Sequence, residues 1–108
     1  MSMTETLKAV SDPIRREILN ILRSQPTTAG DIASKFKLKD ATISHHLAVL
    51  KSAGLIDSQK NGTFIVYELN TSLFEDVLGW IASLKGEEAI MKRSSKFANE
   101  ALESLDGM

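Results

Sequence analysis

The chain has 108 residues, 43% of them hydrophobic, which suits one domain with one core. It has no cysteine and two histidines, and those are adjacent. Disulfides and thiolate chemistry are therefore excluded, and an all-protein zinc site is not expected.

No apolar run approaches the ~18 residues of a transmembrane helix. The opening MSMTETLKAV lacks the basic-then-apolar order of a secretory signal, so a cytoplasmic protein is expected. The net charge of −1 argues by itself against nucleic acid, but the charge is unevenly spread. Residues 1–34 are balanced. Residues 35–67 hold Lys35, Lys37, Lys39, Lys51 and Lys60 against Asp40 and Asp57, a net +3. Residues 68–108 hold eight acids against four bases, a net −4.

Met3, Leu7 and Val10 stand at helical spacing, so residues 3–10 read as a short helix that needs a partner surface. Ser11-Asp12-Pro13 marks a new start, with Asp12 as N-cap and Pro13 at the first helical position. The helix Pro13–Ser24 then shows a wide apolar face of Ile14, Ile18, Leu19, Ile21 and Leu22. Arg15, Arg16, Glu17 and Arg23 lie outside it, and Arg15 or Arg16 is expected to pair with a nearby acid. Gln25-Pro26-Thr27 breaks the chain. Thr27 or Thr28 can cap a short helix that buries Ile32, Ala33 and Phe36 and ends near Phe36; Thr28 and Asp31 have capping-box spacing. Lys37-Leu38-Lys39 is a turn pinned by Leu38.

The next stretch, Asp40–Gly54, carries Ile43, Leu47, Leu50 and Ala53 on one helical line, with Asp40 as N-cap and Gly54 as a left-handed C′ residue. Its opposite side offers Thr42, His45 and Ser52, flanked by Ser44 and Lys51. Alone, this is a solvated amphipathic helix or one suited to a DNA major groove. Placed after a helix and a short turn, it completes a helix-turn-helix.

Beyond Gly54 the period becomes extended. Leu55–Lys60 and Thr63–Leu69 flank Asn61-Gly62, the signal for a two-residue hairpin. Ile65, Tyr67 and Leu69 alternate on one side, Phe64 and Val66 on the other. A hairpin after a helix-turn-helix is a wing, and Lys60-Asn61-Gly62-Thr63 is its tip. Asn70–Ser72 then offers caps, Ser72 and Glu75 having capping-box spacing, for a helix to about Leu84. Leu73, Phe74, Val77, Leu78, Ile81 and Leu84 form its stripe, with Trp80 on the border. That exceeds what a small core can bury, and each such side chain is worth about 1.5–3 kcal/mol when buried. The surplus points to a subunit interface shared with helix 3–10; a core-only role is the plainer alternative. Residues 87–108 read as a further helix that widens the interface, packs over the preceding helix or stays partly unfolded. The expected fold is mainly α with a β-hairpin wing, in the order α-α-α-α-β-β-α. Residues 1–86 would form a winged helix-turn-helix domain for DNA binding and dimerisation, and 87–108 its helical extension.

In this arrangement the chain resembles the ArsR/SmtB family of bacterial winged-helix repressors, over roughly residues 3–84. The resemblance rests on Ser11-Asp12-Pro13-Ile14-Arg15-Arg16-Glu17-Ile18-Leu19, Thr42-Ile43-Ser44-His45-His46-Leu47, Leu50-Lys51-Ser52-Ala53-Gly54-Leu55-Ile56 and Gly62 through Leu69. The stretch Tyr67–Phe74, followed by Val77-Leu78 and Trp80-Ile81, is similar to the SdpR-like branch of autorepressors. The resemblance implies a homodimer joined by its first and fifth helices on an inverted-repeat operator. It also implies control by a sequestering membrane partner. Metal-sensing members carry Cys-x-Cys-Asp-Leu in the third helix, where this chain has Thr28-Ala29-Gly30-Asp31-Ile32. The positions matching the fifth-helix ligands, near Thr71, Leu73 and Leu84, hold no ligand set. No metal and no cofactor is therefore expected.

The residues assigned to DNA are Thr42, Ser44 and His45 for base edges, and Lys39, Lys51, Lys60 and Thr63 for phosphates, with Asn61 at the wing tip. His45 is otherwise merely exposed; His46, beside the buried line, is expected to be structural. The interface is assigned to Leu7, Val10, Phe74, Val77, Leu78, Trp80, Ile81 and Leu84. An adaptor that binds protein rather than DNA is the alternative, suggested by the net charge and acidic tail. An enzyme is not expected, because no carboxylate pair, nucleophile–base set or phosphate loop is present.

Overall fold

A computed structural model of the protein describes residues 2–86. The chain divides into two compact units, Met1–Phe74 and a second that begins at Glu75. In chain order the elements are α1 (Met3–Val10), α2 (Pro13–Ser24), β1 (Thr27–Thr28), α3 (Ala29–Ser34), α4 (Asp40–Ser52), β2 (Ile56–Asn61), β3 (Phe64–Leu69) and α5 (Thr71–Leu84). This is a winged helix-turn-helix. The extension expected over residues 87–108 lies outside the described residues.

Local chemistry accounts for the boundaries. Asp12 Oδ1 accepts from the N–H of Ile14 at 2.8 Å and of Arg15 at 3.1 Å, and Pro13 opens α2. These bonds, the one from Arg15 foremost, hold the Asp12 carboxyl below its ordinary value of 3.8. Thr28 Oγ1 caps α3 by accepting from the N–H of Asp31 at 3.2 Å. That helix ends at Ser34, two residues earlier than its apolar pattern suggests. The N-cap of α4 is Lys39 and no side chain bonds there; Asp40 sits inside the first turn, where its charge suits the helix dipole. At the far end Gly54 takes φ +80°. The N–H of Gly54 donates to Lys51 O at 2.9 Å and that of Leu55 to Leu50 O at 3.0 Å. These are the two bonds of a Schellman motif, closed by the buried pair Leu50 and Leu55.

The core of the first unit joins Ala9, Ile18, Leu22, Ile32, Ile43, Leu47, Leu50, Ala53, Leu55 and Ile56. All four apolar residues expected to be buried along α4 are in it. In α1 the inward residues are Thr6 and Ala9, while Leu7 is 38% exposed. Thr6 is tolerated because its Oγ1 donates to Ala53 O (3.3 Å) or Ser2 O (3.2 Å).

The sheet has three strands in the order β1-β3-β2, all antiparallel. No local pattern marks β1: two threonines after a proline give no periodicity, and only pairing with β3 (Thr27 with Tyr67, Thr28 with Val66) makes them a strand. The hairpin turn also sits one residue later than expected. Asn61 pairs with Phe64, so the two-residue loop is Gly62-Thr63. Gly62 has φ +63° and no other residue of the loop has positive φ, which fits a turn with glycine in its first central place. α5 starts at Thr71, which places Ser72 inside its first turn rather than ahead of it as a cap.

Candidate nucleic-acid interface

α3 and α4 are joined by residues 35–39, where the N–H of Lys35 donates to Ile32 O and that of Phe36 to Ala33 O, both at 3.1 Å. Ile32 of α3 and Ile43 and Leu47 of α4 anchor the two helices in the same core. The angular position of α4 therefore follows from its buried line. Thr42, Ser44 and His45 are all exposed, and so are Lys39 and Lys51 at its two ends. Ala41, Ala48 and Ser52 share the exposed side with His45. The small alanines leave the helix backbone open on that side. Their signal in the sequence is the 41, 45, 48, 52 spacing.

The turn is basic and open, with Lys35, Lys37 and Lys39 all exposed. Lys35 and Lys37 lie on the same exposed turn as Lys39. Leu38 does not pin the turn by burial. It is 41% exposed and borders a groove between α3 and α4 with Phe36 and Asp40.

The wing brings Lys60, Asn61 and Thr63 together at its tip, all exposed. Cross-strand register puts Asn61 beside Phe64 and Lys60 beside Ile65. Tyr67 and Leu69 pack against the core as the alternation implies. Ile65, on the same side, is 44% exposed, and Phe64 on the other is 63% exposed. The reason is length: β1 pairs with β3 only at Val66 and Tyr67, so the hairpin runs past its third strand.

The two histidines differ as expected. His45 is exposed and His46 half-buried. The arginines do not behave as expected. Arg15 Nε donates to Ala9 O at 2.7 Å, Nη2 to Lys8 O at 3.3 Å, and Nη1 lies 3.2 Å from His46 Nδ1. Arg16 Nη1 donates to Val10 O at 2.8 Å. Both cap the open carbonyls at the end of α1, and among the described residues neither pairs with an acid. Helix-end carbonyls exist only once the chain has folded, so sequence spacing could not single them out.

Of the residues expected at a subunit interface, Val10 and Phe74 are half-buried against the core, and Val77 is half-buried. Leu7, Leu78, Trp80, Ile81 and Leu84 are exposed, Leu84 at 68%. Among the described residues no group of three or more His, Asp or Glu converges on a point that could hold a metal ion. No helix among them is long and apolar enough to cross a membrane.

A helix-turn-helix with a polar-faced second helix and a basic-tipped wing defines the class of winged-helix regulators. The chain belongs to the ArsR family of bacterial transcriptional regulators, which are not enzymes. The signature described as "Bacterial regulatory protein, arsR family" matches residues 12–58. Transcriptional repressor SdpR of Bacillus subtilis is 46% identical over 79 residues, covering 73% of this chain and 88% of that protein. HTH-type transcriptional regulator YgaV of Escherichia coli is 40% identical over 80 residues, covering 73% and 78%. A crystal structure of an ArsR family transcriptional regulator superposes with a TM-score of 0.74 at 25% identity, covering 77% of this chain and 91% of that one.

Proposed function

We propose that the protein is a cytoplasmic, homodimeric repressor that binds an inverted-repeat operator and does not sense metals. The observation that carries this reading is the division of α4. Its apolar line is wholly buried, and its other side presents Thr42, Ser44 and His45 between Lys39 and Lys51. In this reading Thr42, Ser44 and His45 read base edges in the major groove. Lys39, Lys51, Lys60 and Thr63 hold phosphates, and Asn61 meets the DNA at the wing tip. The net +3 of residues 35–67 favours that placement over the whole-chain charge of −1.

Two copies would meet through Leu7 and Val10 of α1 and the stripe of α5, and twofold symmetry would set the two α4 helices one DNA turn apart. The residue types support independence from metal, because the chain has no cysteine. Release from DNA would then come from a sequestering partner, for which the resemblance to SdpR-like repressors suggests a membrane protein.

Selection of genomic fragments with the purified protein, followed by a salt titration on the best fragment, tests the reading. The expected result is an inverted repeat whose affinity falls steeply with salt. Recovery of random fragments, with no salt dependence, would favour a protein–protein adaptor.

A further inference from the structure

The buried line of α4 seats the helix on the core, but its side facing α1 is loosely packed. A cleft of about 380 Å³, lined among others by Glu5, Lys8, His45, Ala48 and Ser52, opens between the two helices. Packing is therefore incomplete beside His45. Two polar ties span this region. One is the buried Thr6 hydroxyl, within 3.3 Å of Ala53 O at the end of α4. The other is Arg15, which joins the end of α1 to the middle of α4.

Arg15 stands in the first turn of α2, its backbone N–H held by Asp12. Its guanidinium spends separate N–H groups on Ala9 O, Lys8 O and His46 Nδ1. A guanidinium has donors and no acceptor. The 3.2 Å approach to His46 thus requires a bare Nδ1 lone pair, with the ring proton on Nε2. A planar fork that meets three directed acceptors fixes an orientation, which a flexible ammonium does not.

We propose that Arg15 and His46 are a positioning pair that locks the rotation of the DNA-reading helix against α1, so that the adjacent His45 side is presented to the bases. Neither residue touches DNA in this role. Because α1 also carries interface residues, the pair ties the reading helix of each protomer to the element that sets the spacing of the dimer. The inference rests on the reading that α4 enters the major groove.

The test compares His46→Leu, which keeps bulk without an acceptor, with His46→Asn, whose Oδ1 can stand where Nδ1 does. In the full-length protein His46→Leu should weaken operator binding about tenfold, the scale of one misplaced base contact. Binding to random DNA should change little. His46→Asn should restore the affinity, and Arg15→Lys should behave like His46→Leu. The double variant Arg15→Lys/His46→Leu should lose no more than either alone. ¹⁵N spectra of the imidazole ring read the contact directly: wild type should show a bare Nδ1, whatever the DNA does.

Equal losses for His46→Leu and His46→Asn, additive losses in the double variant, or a protonated Nδ1 at neutral pH would overturn the pairing. Wild-type operator binding that His46→Leu leaves intact would overturn the positioning role alone. Absence of salt-dependent DNA binding by wild type would overturn the functional reading and the role with it.

Discussion

α4 and α5 are nearly the same length, and both carry a regular apolar line, yet they end in opposite states. In α4 the line is Ile43, Leu47 and Leu50, and all three are at most 2% exposed. What α4 leaves in water is polar or small. In α5, Leu73 and Phe74 pack against the core of the first unit, but Leu78, Trp80, Ile81 and Leu84 are each more than 40% exposed, and Ala82 is its one buried residue. One helix has its apolar partner within the described residues, and its free side suits a polar, charged ligand. The other keeps an apolar surface of the kind proteins cover with another protein. The contrast separates the two proposed contacts, DNA at α4 and a second copy at α5.

Substitutions that act on one helix and spare the other test that separation. The largest effect is expected from Leu47→Ala, which empties a core site in α4 and should cost about 2–5 kcal/mol of stability in a denaturant titration. Ile81→Asp should leave the first unit folded but turn dimer into monomer in light scattering. Losing the second half-site contact should weaken operator binding about a hundredfold or more. A dimer that survives Ile81→Asp would break the assignment of α5. His45→Ala should weaken operator binding more than random-DNA binding, by about 1–3 kcal/mol of discrimination. Lys60→Ala should weaken both alike and reduce the salt slope by about 0.9. Equal loss on both DNAs for His45→Ala would remove it from the base-reading set.

The smallest effect concerns the Asp12 cap. Its carboxyl is depressed in the folded state by the bond from the Arg15 N–H, so its stabilisation is present above the unfolded value and fades as pH falls through the folded one. The gap in thermal midpoint between wild type and Asp12→Asn should be open at neutral pH and close in acid. A gap that widens in acid would contradict the capping account.

Much of this could be read before folding. Asp12-Pro13, the apolar lines of α2 and α4, and Gly54 and Gly62 each express a local preference: a cap, a period of 3.6, or a residue free to take positive φ. Local preferences survive into the structure because nothing in the fold opposes them. The errors fall where two answers were locally equivalent. Asn61-Gly62 and Gly62-Thr63 are both acceptable two-residue loops, and strand register chose the second. Asp40 is a good N-cap and a good first-turn acid, and the chain's exit from the turn made it the latter.

The exposed polar side of α4, including Thr42, Ser44, His45 and Lys51, was legible because it is the complement of a buried line. Arg15, Thr6 and β1 were not. Each owes its role to a partner far along the chain: His46 for Arg15, Ala53 for Thr6, Tyr67 and Val66 for β1. Which segments between residues 3 and 84 are helices, where the wing lies and which side of α4 is polar follow from the sequence alone, because periodicity and capping are properties of neighbours. The contacts of Arg15 and Thr6 and the exposure of the apolar residues of α5 arise in the folded chain, because hydrogen-bond partners and burial depend on residues that meet only there.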